Sequence, residues 1–325
     1  MALNSNCKTS CIPPNLTSNK LNEYYIDIGT QLAKKFQSEG ELPHINQQHS
    51  DFSFSTITSN AVFKKLSTLK TTSKLDILGF DCKLLQCCAK YISPQIAKIY
   101  NMSIKQGKMP DCWKKAKITP IYKGKGDKDS CSNYRPISTL PFLAKILESC
   151  IQEQLIDYLT TNNILCCEQS AYLKKHSTNT SLHRVVDEWL TNINNSLING
   201  VAFFDLSKCF DTINHKRLLE KLELYGIRNI ALKWFDNYLT SRTQAVSANG
   251  ILSDFLTILM GVPQGSNLGP LLFMLFVNDC LECTSCNLFA DDTAIYCSGK
   301  HINEINAALQ ADVKKMLSNG LMIIC

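Results

Sequence analysis

Two adjacent aspartates between short apolar runs constrain the fold of this chain more than any other feature. Apolar residues stand on both sides of Phe289-Ala290-Asp291-Asp292, and two apolar runs joined by a tight polar break predict a β-hairpin. Adjacent carboxylates repel each other, so such a pair requires protonation, solvent or cations. A further carboxylate, Asp205, directly follows the apolar run 201–204 and is expected at the end of a buried strand.

A strand that ends in a carboxylate and a hairpin that carries two can together build a two-metal phosphoryl-transfer site. Such a site holds two divalent cations about 3.5–4 Å apart, one at the attacking oxygen and one at the leaving oxygen. Mg²⁺ suits this role because it is bound by a few carboxylates together with substrate phosphates. The simpler interpretation is an Asp-Asp pair in an ordinary surface turn, and the accompanying motifs decide between the two.

Composition places the chain among globular proteins. Its 325 residues are 45% hydrophobic, which allows two or three subdomains around a sizeable core. The net charge is +6, and basic residues concentrate between Lys105 and Arg135 with three aromatic residues among them. That pattern is typical of a nucleic-acid partner, and a solvated basic surface is its alternative. The longest apolar stretch, 270–277, is too short to span a membrane.

The sixteen cysteines predict reduced thiols rather than a disulfide scaffold. The chain is long, shows no signal peptide and places many cysteines in apolar or helical contexts. We therefore expect an intracellular protein of the cytoplasm or nucleus. Cys280, Cys283 and Cys286 are spaced like part of a metal-binding run, but no fourth cysteine or histidine lies nearby, so a metal site there is the less favoured interpretation.

Apolar periodicity predicts three regions along the chain. Residues 1–20 are polar and are expected to be disordered, and 21–105 are expected to form an N-terminal helical extension that is interrupted near Pro94. Residues 106–325 mix strands and helices. The predicted elements of this part are a strand at Trp113–Tyr122 and helices at Phe142–Leu159, Ser181–Leu197, from His215 and from Pro270.

Four further motifs accompany the aspartates. Residues 261–266 (Gly-Val-Pro-Gln-Gly-Ser) form a turn-rich loop whose glycines admit close approach of a ligand, and the Gln264 amide both donates and accepts hydrogen bonds. Lys123 ends a strand beside a glycine. Arg135 lies in an extended segment, where its planar fork is able to grip a phosphate. Phe210 lies on the segment that leaves the first carboxylate.

The order and spacing of these motifs resemble those of the reverse transcriptases of non-LTR (LINE-type) retrotransposons. The resemblance runs from about Leu21 to Gly320, and five blocks carry it: Asn-Tyr-Arg-Pro-Ile-Ser at 133–138, the stretch 169–178, Phe-Phe-Asp-Leu-Ser-Lys-Cys-Phe-Asp at 203–211, the loop and helix at 261–273, and Phe-Ala-Asp-Asp at 289–292. One departure is Asn267, which stands where the family commonly has a β-branched apolar residue and is expected to cost packing.

The resemblance implies an α+β fold of the right-hand polymerase type. An antiparallel palm sheet would carry the aspartates, with helical fingers N-terminal to it. Fingers and palm would occupy 106–325 with their core at 113–300, and the chain is expected to stop before the thumb. No endonuclease domain is predicted, since nothing before residue 100 shows the acidic and histidine blocks that a nicking domain needs.

The resemblance also implies metal ligands and a reaction. Two Mg²⁺ ions, with Mn²⁺ as a substitute, would be bound by Asp205, Asp291, Asp292 and the Leu206 carbonyl. The reaction would be RNA-templated DNA synthesis, in which a primer 3′-hydroxyl attacks the α-phosphate of a dNTP and releases pyrophosphate. The implied partners are an RNA template, a DNA primer and dNTPs, and no protein partner or membrane is inferred.

The remaining implied roles concern the nucleotide. Lys123 and Arg135 would hold the incoming triphosphate, and Gln264 with Gly265 would position the template-paired nucleotide. Phe210 would occupy the position of the aromatic gate that excludes a 2′-hydroxyl. Two alternatives stay open: an intron-maturase-type reverse transcriptase, and a catalytically dead retrotransposon remnant that at most binds RNA.

Overall fold

The computed structural model of the chain describes residues 12–35, 48–70, 75–166, 177–205, 209–278, 286–289 and 292–318. These ranges combine helices with two β-sheets, so the predicted α+β class is confirmed. The helices are α1 (Ser18–Lys35), α2 (Ser59–Ser67), α3 (Cys82–Gln106), α4 (Phe142–Thr161), α5 (Thr178–Asn194), α6 (Cys209–Thr212), α7 (His215–Leu224), α8 (Asn229–Leu239), α9 (Gly269–Val277) and α10 (Ile302–Ser318).

The strands form two separate sheets. They are β1 (Lys115–Tyr122), β2 (Tyr134–Thr139), β3 (Ile198–Asp205), β4 (Thr243–Ala248), β5 (Ile251–Leu252), β6 (Leu256–Thr257), β7 (Cys286–Phe289) and β8 (Asp292–Gly299). The first sheet has the order β2-β1-β4-β5, with β6 also on β4, and only its β1–β4 pair is parallel. The second sheet, β3-β8-β7, is antiparallel throughout.

One main hydrophobic core joins α2 and α3, which precede residue 106, to helices that follow it. Leu66 of α2 and Tyr100 of α3 are buried in the same cluster as Leu147 of α4, Trp234 of α8 and Phe273 of α9. Helices α2 and α3 of the predicted N-terminal extension therefore share a core with the chain after residue 105, and the division of the chain at that residue stays a prediction. Apolar faces of both segments are removed from water only when they pack together.

The segment just before α1 is ordered by a distant strand. Ile12 and Leu16 are buried in a second cluster with Val246 of β4, and the Ile12 N–H donates to Asn249 Oδ1 at 3.0 Å. The predicted disorder of residues 1–20 is therefore wrong for 12–20, and residues 1–11 lie outside the described ranges. Because residues 12–20 are mostly polar, their composition did not indicate that Ile12 and Leu16 pack against β4.

Helix α3 continues through Pro94, so the predicted interruption is wrong. It begins after Asp81, whose Oδ1 accepts from the Lys83 N–H at 2.9 Å, and it ends at Gly107 with φ +63°. Proline removes one helical N–H and crowds the preceding turn. Ala89 before the proline and Tyr100 after it are both buried in the core, and this burial holds the two halves of the helix in one line.

Two other predicted boundaries shift by a few residues. Residues Asp111–Lys114 form a 3₁₀ turn, so the strand predicted from Trp113 begins at Lys115. Helix α5 begins three residues earlier than predicted because Ser177 and Thr180 form a capping box. Within the described residues, no helix has both the length and the apolar character that crossing a membrane requires.

Candidate active site

The predicted hairpin around the adjacent aspartates is present. Strands β7 and β8 pair antiparallel, and Phe289 at the end of β7 faces Asp292 at the start of β8. Ala290 and Asp291 connect the two strands in the sequence and lie outside the described residues. The alternation of apolar residues on both sides of the break thus predicted the element correctly.

The register of the second sheet brings two of the predicted metal ligands into one pair. Asp205 at the end of β3 lies directly opposite Asp292 on β8. Residues directly opposite in an antiparallel pair have Cβ atoms about 4.5–5.5 Å apart and share one face of the sheet. The side chains of both residues, and all of Leu206 and Asp291, lie outside the description, so their metal-binding roles stay predictions.

The face of the sheet that positions 203 and 205 share is open at this end. Phe203 is 77% exposed, and strand alternation places position 205 on the same side. On the opposite face, α10 lies against β3 at Gly200, where a Cβ would come within 2.2 Å of Ile305 Cγ2. Phe204, next to Asp205, packs against the main core. Among the described residues, the side of the sheet that carries Phe203 is therefore accessible at this end.

The glycine-rich loop 261–266 is fastened to the segment that follows Asp205. The Gly261 N–H donates to the Ile213 carbonyl and the Val262 N–H to the Phe210 carbonyl, both at 2.8 Å. Gly261 has φ +83°, and a Cβ there would lie 2.6 Å from the Phe210 carbonyl oxygen. Only glycine combines this backbone conformation with so close an approach.

Gln264 and Gly265 join this loop to β2. The Ser138 N–H donates to the Gln264 carbonyl at 3.0 Å, and the Gln264 Nε2 donates to Asp211 Oδ1 at 2.8 Å. At Gly265, φ is +112° and a Cβ would lie 2.7 Å from the Ser138 carbonyl oxygen. Three motifs that are far apart in the sequence, at 133–138, 203–211 and 261–266, therefore meet at one loop.

Phe210 lies in α6, immediately beside this loop. Its half-buried ring stacks on Phe273 of α9, with ring centroids 4.9 Å apart and an angle of 29° between the planes. Its carbonyl is the acceptor of the Val262 N–H. The ring is therefore held in place by the core on one side, and it keeps an accessible part.

Lys123 and Arg135 lie together at the other end of the β1–β2 pair. Arg135 faces Ile121 in the register, and the Lys123 N–H donates to the Asn133 carbonyl at 2.8 Å. The Arg135 side chain is exposed and Lys123 is half-buried. The structure thus brings the two predicted phosphate ligands to one edge of the first sheet, and their role stays a prediction.

One residue of the predicted basic surface is buried. Lys114 has almost no solvent exposure, and its Nζ lies 3.5 Å from Asp111 Oδ1. Burial lowers the pKa of the Lys114 ammonium. Lys115, Lys125 and Lys128 are exposed, so they and not Lys114 form the basic surface of this segment.

The sequence reasoning missed a buried carboxylate behind the loop. Glu148 of α4 is fully buried and accepts from the Tyr238 hydroxyl at 3.1 Å and from the Asn267 N–H at 2.8 Å. Burial raises the pKa of Glu148. Glu148 lies on the apolar face of α4, four residues after Ala144 and three before Ile151. This helical spacing could have predicted that its side chain is buried.

Asn267, for which a packing cost was expected, makes two hydrogen bonds to α4. Its side-chain amide donates to the Lys145 carbonyl at 2.8 Å, while its N–H reaches Glu148. These two contacts tie the end of the loop to α4. The polar side chain at this position thus has a hydrogen-bond partner in α4.

A second missed residue, His215, supports the start of the loop. Its Nε2 lies 2.7 Å from the Gly261 carbonyl oxygen, and a carbonyl only accepts, so this nitrogen carries the proton. Burial lowers the pKa of the His215 imidazole. Backbone and side-chain contacts from residues 210–215 thus hold the loop at several points.

Paired carboxylate positions at an open antiparallel sheet, beside a fastened glycine-rich loop, are the arrangement expected of a nucleotidyl-transfer enzyme. Residues 122–324 match the family described as "Reverse transcriptase (RNA-dependent DNA polymerase)". That match covers more than half of the chain, which belongs to the reverse transcriptase family. The predicted family and enzyme class are thereby confirmed.

Named relatives agree with this assignment. The chain is 32% identical over 225 residues to "RNA-directed DNA polymerase from mobile element jockey" of Drosophila melanogaster, which is 66% of this chain and 24% of the relative. It is 31% identical over 232 residues to "Probable RNA-directed DNA polymerase from transposon BS" of the same organism, again 66% of this chain and 25% of the relative. The chain spans about a quarter of the length of these curated relatives. The resemblance to the non-LTR retrotransposon branch is confirmed by these matches.

Proposed function

We propose that the chain elongates a DNA primer on an RNA template with dNTPs, as the fingers and palm of a retrotransposon RNA-directed DNA polymerase. The observation that carries this proposal is the pairing of Asp205 with Asp292 at an open sheet face. In this proposal the sheet β3-β8-β7 is the palm. The β1–β2 pair and the helices before it act as fingers. Helices α2 and α3 share the main core with Ile295 of the palm sheet, whereas α1, β1 and β2 pack together in the second cluster.

Divalent cations would be held by carboxylates of the palm sheet. Reverse transcriptases as a family use divalent metals, and the oxygen donors available here suit Mg²⁺, with Mn²⁺ as a substitute. The residues that would hold them are Asp205, Asp291, Asp292 and the Leu206 carbonyl. When bound, two such cations supply an activated attacking oxygen and a stabilised leaving oxygen. The open face beside Phe203 leaves room for primer and nucleotide on this side.

The nucleotide would lie between the end of the β1–β2 pair that carries Lys123 and Arg135 and the aspartates of the second sheet. Lys123 and Arg135 would hold the triphosphate, since an exposed guanidinium binds phosphate oxygens in pairs. Gln264 and Gly265 would position the base pair, supported by the Ser138 contacts to both residues. Phe210 would pack against the sugar, and the Phe273 ring stacked behind it would keep the Phe210 ring from moving away.

Primer extension by the purified protein tests this proposal. A labelled DNA primer annealed to a heteropolymeric RNA template, with dNTPs and Mg²⁺, is expected to give products whose sequence follows the template. Omission of one dNTP should stop extension at the corresponding template position, and a chelator should abolish it. Tight RNA binding without any extension in Mg²⁺ or Mn²⁺ would instead identify the chain as a catalytically dead remnant.

Replacing Phe210 by valine is expected to raise ribonucleotide incorporation, relative to deoxyribonucleotides, by roughly tenfold or more. The smaller side chain leaves room for a 2′-hydroxyl, and discrimination by one steric contact is worth about 1–3 kcal/mol. The measurement is the ratio of kcat/KM values for matched rNTP and dNTP pairs. Phe235→Leu is the control, because Phe235 is fully buried in the core. That variant should lose stability without a change in the ratio. An unchanged ratio in the Phe210 variant would make Phe210 a packing residue only.

A further inference from the structure

The motif at 203–211 contains two aspartates with different surroundings. Asp205 ends β3 opposite Asp292, whereas Asp211 lies in α6 and its Oδ1 accepts from Gln264 Nε2 at 2.8 Å. The resemblance assigns only Asp205 of this motif to metal binding and gives Asp211 no role. The hydrogen bond engages Asp211 with the loop 261–266 instead.

This contact determines which end of the Gln264 side-chain amide faces Asp211 and which end faces away from it. A carboxylate accepts hydrogen bonds and does not donate them, so the NH₂ group of Gln264 must face Asp211. The amide oxygen, Oε1, then points to the other side. Within the part of the chain that the structure describes, no residue donates to this oxygen.

The loop backbone is held without help from Asp211. The Gln264 carbonyl accepts from the Ser138 N–H, and Gly261 is held by the Ile213 carbonyl and by His215. Removing the Asp211 charge should therefore leave the loop in place. The same change weakens the contact with the Gln264 side chain, whose amide could then turn either way.

We infer that Asp211 is a positioning residue that orients Gln264, so that Oε1 accepts a hydrogen bond from a hydroxyl or amino group of the bound substrate. This inference rests on the proposed function. It excludes a phosphate oxygen as the partner of Oε1, because two acceptors do not form a hydrogen bond. Asp211 contributes to nucleotide placement through Gln264 and does not bind the metal.

A double-mutant cycle tests the inference. Asp211→Asn preserves shape but lets the Gln264 amide turn, and we expect it to raise KM for the dNTP about tenfold, the worth of one charge-assisted hydrogen bond. The kcat value should stay within about twofold. Gln264→Ala should raise KM similarly. In the Gln264→Ala background, Asp211→Asn should change KM less than about twofold, because its effect passes through Gln264.

Three outcomes would overturn the inference. One is a loss of kcat in Asp211→Asn as large as that in Asp205→Asn, which would make Asp211 a metal ligand. Another is an undiminished effect of Asp211→Asn in the Gln264→Ala background. The third needs no turnover and separates this inference from the proposed function. In ¹⁵N NMR spectra, the Gln264 side-chain amide should exchange slowly with solvent in the parent and faster in Asp211→Asn. Equal exchange in both would contradict the contact itself.

Discussion

Replacing Asp205 by asparagine is expected to reduce primer extension by roughly a thousandfold or more. A bound metal ion stabilises the charge of the transition state by several kcal/mol, and this stabilisation would be lost with the metal ligand. Asparagine has the same shape, so the β3–β8 register and the RNA-binding surface should remain. Single-turnover extension rates and RNA affinity by fluorescence anisotropy are the two measurements. Asp292→Asn should have an effect of similar size, because Asp292 lies opposite Asp205.

Asp27→Asn is the matched control for these variants. Asp27 is exposed on α1, so Asp27→Asn makes the same change of charge outside the sheet β3-β8-β7. Its extension rate should equal that of the parent. Extension by Asp205→Asn at the parent rate would show that Asp205 does not bind a catalytic metal, whereas a loss of RNA binding in this variant would indicate misfolding instead.

Replacing Gly261 by alanine is expected to lower kcat/KM for the dNTP by roughly a hundredfold, as a displacement of about 1 Å can do in an active site. Two effects combine at this position. The conformation with φ +83° costs a side chain about 1–2 kcal/mol, and the new methyl group would lie 2.6 Å from the Phe210 carbonyl oxygen. The carbonyl belongs to backbone and cannot swing away, so the loop that carries Gln264 must move.

Gly250 separates the two effects. It has the same φ of +83°, but a Cβ there meets nothing within 4 Å. Gly250→Ala should therefore be destabilised by backbone strain alone, which would lower the midpoint of thermal unfolding. Its kcat/KM should be unchanged. If both alanine variants showed the same kcat/KM, the close approach of the loop to Phe210 would have no role in nucleotide placement.

Local patterns predicted the elements whose signals are contained in a few neighbouring residues. The hairpin β7–β8 followed from two apolar runs with a tight break, and β3 from the apolar run before Asp205. Helix α4 followed from apolar spacing and begins at Phe142 as predicted. The residues between 12 and 20 and the passage of α3 through Pro94 were predicted wrongly, because in both places burial against distant residues outweighs local preference.

The same limit applies to the candidate site. The motifs supplied the residue types that metal and phosphate binding require, but not their contacts with one another. The Gln264–Asp211 hydrogen bond joins residues 53 positions apart, and the Asn267–Glu148 bond joins residues 119 apart. No periodicity in a short window carries such information. Glu148 and His215 were therefore missed, although Glu148 contacts Asn267 directly after the loop and His215 contacts Gly261 within it.

By itself, the sequence determined the family, the order of the motifs and the chemistry that carboxylates, cations and a glycine-rich loop make available. The tertiary structure alone decided that Asp205 lies opposite Asp292, that Asp211 contacts Gln264, and that Lys114 is withdrawn from the basic surface. The physical reason is that side-chain chemistry is a property of each residue, whereas register and burial arise only when distant segments pack together and exclude water.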